Sequence, residues 1–179
     1  MTSEETVARP LSERELFFAT NHQAAHAVVA MTLGCFVGDL AVSDEADTDP
    51  GWSSSPAPLA DAESIFAAGY AMEMLLWRTR GRAWAESECD RQRLADRYGD
   101  VTGNDLSPEA ADARFLDAAA QSRAILNHDG ARRTIDALAH ALVECYSRGS
   151  GRLEAAAVRA ITTQFFGDQR PVAAISVAD

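Results

Sequence analysis

The chain alternates between long segments rich in alanine and other apolar residues and short segments rich in glycine, proline, serine or aspartate. Alanine is the strongest helix former, while glycine and proline commonly mark helix boundaries. The long segments predict helices at 12–33, 59–80, 85–98, 108–127, 130–148 and 152–165. The pattern therefore predicts a mainly α protein of about six helices with at most a small β element.

Local signals define where several of these elements begin. Ser12 and Glu15 have the spacing of a capping box, and Ser107 precedes a proline that suits the first position of a helix. Residues 35–43 are short and apolar, which predicts one strand. The breaker-rich run 44–58 predicts a loop, and a loop of this length is either functional or disordered.

The length of 179 residues fits one domain. We expect a disordered N-terminus at 1–10, the domain at 11–168 and a tail at 169–179.

The first residues lack the basic and then apolar run of a signal peptide, and no apolar stretch is long enough to span a membrane. Three cysteines without a CxxC pair indicate neither a disulfide framework nor a cysteine-built zinc site. These features predict a cytoplasmic protein with no membrane partner.

The formal net charge is −11, and every positively charged side chain is an arginine. An acidic surface repels a phosphate backbone, which predicts that nucleic acid is not a partner. The sequence contains no GxxxxGK[ST] phosphate loop, so no ATP site is expected in this chain. A peptide or a small molecule is the expected substrate, and a homo-oligomer is left open.

His22 and His26 are separated by three residues within the first predicted helix. Residues four apart lie on one helix face, so both imidazoles can reach the same ion. Zinc accepts two imidazoles and a carboxylate and leaves a fourth position for water. Two histidines at this spacing also arise by chance or from core packing.

His128 and His140 lie on late predicted helices, and we expect surface or core positions for them.

The surrounding segment, ATNHQAAHAVVAMTLG, resembles the HEAGHAVVA helix of FtsH-type zinc metallopeptidases, with differences at the second and fourth motif positions. Residues 69–74 stand where that family has a GRAAEE-like segment, and residues 87–90 stand where it has an SNDL-like one. SRAILNHDGARRTIDALAHALVE is similar to the closing helical segment of the family. The resemblance spans roughly 12–165 and implies a helical peptidase-type domain. The sequence departs from the family in lacking the phosphate loop of its unfoldase and the spanning helix of its membrane anchor.

The resemblance implies a zinc cofactor bound by His22, His26 and Asp90. Taken alone, Asp90 is also explained as a helix-start carboxylate that the helix dipole favours. Glu73 interrupts an apolar stripe of the second helix. A hydrogen bond to a ligand histidine explains this carboxylate, and so does a partly exposed helix position.

Gln23 stands where the family has its catalytic glutamate. A glutamine can orient a water molecule but cannot accept its proton, and a positioned base is worth about 10²–10⁴ in rate. The sequence therefore predicts a zinc-binding, metallopeptidase-like protein whose peptide hydrolysis is impaired or absent, with zinc-dependent chemistry on a small or peptide substrate left open. Its alternatives are a non-catalytic binding or regulatory pseudoprotease, an active peptidase trapped by a Glu-to-Gln mutation, and a metal-free helical bundle.

Overall fold

The computed structural model describes residues 10–42, 52–80 and 87–166. Within these ranges the protein is mainly helical and carries one small antiparallel sheet, so the predicted fold class is confirmed. The helices are α1 (Glu13–Thr32), α2 (Leu59–Arg80), α3 (Ser87–Thr102), α4 (Pro108–Leu126), α5 (Asp129–Ser147) and α6 (Ala155–Phe166). The strands are β1 (Val37–Ala41), β2 (Trp52–Ser54) and β3 (Arg152–Leu153).

Helix α1 lies at the centre of the fold. The predicted capping box is present at its start: the Ser12 hydroxyl accepts the Glu15 backbone N–H, and the Glu15 carboxylate accepts that of Ser12 at 2.7 Å. The helix packs against α2, α4, α5 and both β1 and β2, and every residue from Phe18 to Ala30 is buried. Because α1 is covered on several sides, its polar side chains lie in the core together with its apolar ones.

The sheet lies beside α1 and has the strand order β2-β1-β3. Leu40 of β1 is opposite Trp52 of β2 on one side and Leu153 of β3 on the other. The Asp39 carboxylate accepts hydrogen bonds from the Arg152 guanidinium and from the backbone N–H at the start of α6. These bonds fix β3 and α6 to β1, and the pairing of β1 with β2 places the Trp52 ring against the core.

Three sequence expectations differ from the structure. The loop predicted at 44–58 is wrong at 52–54, which form β2 because β1 offers them an antiparallel partner. The helix predicted at 85–98 is too short at its C-terminal end, since α3 continues to Thr102 and ends before Gly103, whose φ of 70° favours glycine. The helix predicted at 152–165 is wrong at 152–153, which form β3, because two residues carry too little pattern to indicate a strand.

The ends of the chain and two internal segments lie outside the described residues. These are 1–9, 43–51, 81–86 and 167–179, which include nearly all of the predicted disordered N-terminus, most of the predicted loop at 44–58 and the predicted tail. None of the described helices combines the length and the apolar character that a membrane crossing requires.

Candidate metal centre

Three side chains that can ligate a metal meet in the core between α1 and α3. His22 and His26 lie one turn apart on α1, and Asp90 lies in the first turn of α3. The two Nε2 atoms are 3.0 Å apart, and the Asp90 Oδ2 atom is 3.1 Å from Nε2 of His22 and 3.2 Å from Nε2 of His26. The side chains are 2%, 0% and 3% exposed, respectively. We refer to these three residues as the cluster.

Hydrogen bonds on the far side of each imidazole determine which nitrogen faces the cluster. Nδ1 of His26 is 2.6 Å from the backbone carbonyl oxygen of Ile65, which can only accept, so this nitrogen donates. Nδ1 of His22 is 2.8 Å from the Glu73 Oε1 atom, and a carboxylate likewise accepts. In the neutral imidazoles both Nε2 atoms therefore carry a lone pair. Three electron-pair donors face one another in the protein interior.

This arrangement needs a cation, which is either a proton shared by the imidazoles or a metal ion. Two ligand atoms on a tetrahedral zinc ion lie about 3.3 to 3.4 Å apart, given bond lengths of about 2.0 to 2.1 Å. The separations in the cluster are only slightly shorter. The buried Oδ2 atom of Asp90 has no hydrogen bond within the described part of the chain. His22, His26 and Asp90 thus form a buried group that could hold a metal ion.

The charge of Asp90 responds to two opposing effects. Burial raises the pKa of its carboxyl group, but the adjacent imidazoles of His26 and His22, when they carry the shared proton, lower the pKa by more, so the net shift is downward. The Oδ1 atom is also 3.5 Å from the Arg93 guanidinium, one turn further along α3. The carboxylate is therefore held in its ionised form, which is the form that binds a metal.

Two neighbours of the cluster could not be assigned a role from the sequence. Gly69 lies in the middle of α2, and a Cβ atom at this position would come within 2.3 Å of the His22 ring. The Trp52 ring stacks on the His26 ring, with centroids 4.5 Å apart and planes 10° from parallel. Glycine is unfavourable within a helix, and this was the only sequence signal for the close approach of α2 to His22.

The remaining residues considered from the sequence fall into two groups. Gln23 is buried on α1 beside His22, and its predicted role in orienting water stays a prediction. His128 and His140 are exposed and lie on or next to α5, away from the cluster. Of the four histidines, the structure thus brings together the two on α1.

Comparisons with known proteins add no assignment to this geometry. The chain matches no protein-family model, and a search of curated proteins found no significant match.

Replacing Gly69 with alanine should disturb the cluster through steric overlap. The added Cβ would contact the His22 ring, and overpacking a core typically costs about 1 to 3 kcal/mol. We expect Gly69→Ala to lower both the free energy of unfolding and the affinity for zinc, measured by chemical denaturation and by chelator competition. The matched control is Gly130→Ala on α5, where the nearest atom is 4.0 Å from the added Cβ. Equal effects of the two variants would contradict the close approach at Gly69.

Replacing Glu73 with glutamine should weaken metal binding. A carboxylate that accepts the Nδ1 proton makes an imidazole a better ligand, and loss of such a partner costs about 10- to 100-fold in metal affinity. We expect Glu73→Gln to lower the zinc affinity within this range in a chelator competition titration. Glu144→Gln is the control, because Glu144 pairs with the exposed His140 at 3.3 Å. An unchanged affinity in Glu73→Gln would show that this contact does not tune the cluster.

Proposed function

We propose that the protein is a zinc-binding, metallopeptidase-like domain whose peptide hydrolysis is impaired or absent. The observation that carries the proposal is the convergence of His22, His26 and Asp90, whose ligand atoms lie 3.0 to 3.2 Å apart. The spacing within HQAAH and the resemblance of its helix to FtsH-type peptidases support the peptidase-like assignment.

Zinc is the metal that this set of ligands favours. Imidazole suits zinc, copper, iron and nickel, whereas magnesium and calcium prefer oxygen ligands. Two histidines and one carboxylate are a familiar zinc set in catalytic centres, which keep a further coordination position for water or substrate. When bound, the ion would supply Lewis-acid polarisation of a substrate carbonyl and activation of water.

Gln23 determines what the residues of this chain can do with that chemistry. Its amide can hydrogen-bond a water molecule or a substrate, but it has no carboxylate to accept and return a proton. Asp90 and Glu73 are engaged with the histidines and are not available as a replacement base. We therefore propose that the protein binds a peptide or a small molecule, with catalysis limited to reactions that need no base at position 23.

A non-catalytic binding or regulatory role is the second candidate. The observation that favours it is the burial of the cluster, whose three side chains are at most 3% exposed. A structural zinc ion stabilises the fold and needs no access from solvent. In this role the metal would connect α1 to α3, and the binding surface would lie elsewhere on the domain.

Metal content tests both candidates against a metal-free helical bundle. We expect elemental analysis of the full chain, purified and supplied with zinc, to find about one zinc per chain. His26→Ala should lose the metal, because it removes one of the three ligand atoms. His140→Ala should retain it, because this histidine is 77% exposed on α5. A protein without zinc, or equal zinc in both variants, would rule out the proposed centre.

Restoring a carboxylate at position 23 tests the peptidase-like machinery. Since a positioned base contributes about 10²–10⁴ in rate, we expect Gln23→Glu to gain hydrolysis of unstructured fluorogenic peptides by this order. The double variant Gln23→Glu with His26→Ala should lose the gain. A zinc-loaded Gln23→Glu protein that stays inactive across a diverse peptide set would contradict the peptidase-like assignment and favour the binding role.

A further inference from the structure

A pocket of about 350 Å³ lies beside the cluster, between β2, the start of α2 and one face of α3. Three of its lining residues contact the cluster directly. Trp52 stacks on the His26 ring, the Ile65 carbonyl oxygen accepts the His26 Nδ1 proton, and Arg93 lies 3.5 Å from Asp90. A molecule in this pocket would therefore be separated from the candidate metal centre by a single layer of side chains.

The charges that line the pocket have a single sign. Arg93 and Arg97 are its only charged lining residues among the described part of the chain, although the protein as a whole has a net charge of −11. They are four residues apart on α3 and so lie on the same helix face. Arg97 forms no ion pair with any described residue, and Arg93 is 24% exposed. The pocket is thus a local positive site on an acidic protein.

One wall of the pocket combines apolar side chains with hydrogen-bond donors. Trp52 is only 8% exposed, and its indole Nε1–H has no hydrogen-bond acceptor among the residues that the structure describes. Buried donors are nearly always satisfied in folded proteins. The hydroxyl groups of Ser53 and Ser54 and the aromatic ring of Phe66 line the same pocket. The lining therefore combines cations and hydrogen-bond donors with an apolar surface.

We propose that this pocket binds a carboxylate group of the ligand, with Arg97 as the principal contact and Arg93 as its neighbour. The planar guanidinium binds a carboxylate through two parallel hydrogen bonds, and the aromatic and aliphatic wall accommodates an adjoining apolar side chain. The inference deepens the proposed function and rests on it, because it names the ligand as a peptide with a free C-terminus or an acidic side chain.

Metal binding should strengthen this selectivity. The Asp90 carboxylate lies 3.5 Å from Arg93 and offsets part of the positive charge of the arginines. A bound divalent cation would counter the charge of this carboxylate. The field of Arg93 and Arg97 in the pocket would then be stronger, and an anionic ligand would be attracted more strongly.

Calorimetric titration of the zinc-supplied full chain with three short acetylated peptides tests the inference. One is an apolar peptide with a free C-terminal carboxylate, the second is its C-terminal amide, and the third is an amidated peptide with one internal glutamate. We expect at least one carboxylate peptide to bind about tenfold or more tightly than the neutral amide, in line with a charged hydrogen bond. Preference for the first peptide identifies a terminal carboxylate, and preference for the third identifies an acidic side chain.

Variants of Arg97 decide whether the preference arises in this pocket. Arg97→Ala and Arg97→Gln should both abolish the preference while retaining zinc. Arg159→Ala, which makes the same change in net charge at an exposed position of α6, should keep it. Equal affinity for all three peptides, or a preference that survives both Arg97 variants, would overturn the inference. Zinc analysis of the same samples separates the failures, because absence of zinc overturns the proposed function whereas zinc without carboxylate preference overturns this inference alone.

Discussion

The mutual repulsion of three buried lone pairs is the constraint on which the architecture around α1 depends. Nε2 of His22, Nε2 of His26 and Oδ2 of Asp90 lie within 3.2 Å of one another, where little water is available to screen them. The Ile65 carbonyl and the Glu73 carboxylate occupy the opposite ring nitrogens, so neither imidazole can turn away without leaving a buried acceptor unpaired. A cation in the cluster converts this repulsion into attraction and links α1 with α3, while α2 supplies both orienting acceptors.

Small side chains make this arrangement sterically feasible. Ala24 and Ala25 lie between the two histidines and are fully buried, and Gly69 allows α2 to approach the His22 ring. Large residues at these positions would separate the helices and move the acceptors of α2 away from the imidazoles. The alanine content that predicts helices from the sequence therefore also determines how closely they pack.

Elements with local signals were predictable from the sequence, and those that depend on tertiary contacts were not. The start of α1 was predictable because Ser12 and Glu15 form a capping box within four residues. Strand β2 exists because β1 offers it hydrogen-bond partners, and no local pattern at 52–54 indicates this pairing. The same division applies to the cluster. The spacing of the histidines is local, whereas the stacking of Trp52 on His26 brings together residues 26 positions apart.

Burial and charge balance offer a physical reason for glutamine at position 23. Asp90 and Glu73 already place two acidic side chains next to the histidines. A third at position 23, where the side chain is only 5% exposed, would add a negative charge to the core at a desolvation cost. The neutral amide of Gln23 avoids that cost, whereas a glutamate introduced there would act as a base at the expense of stability.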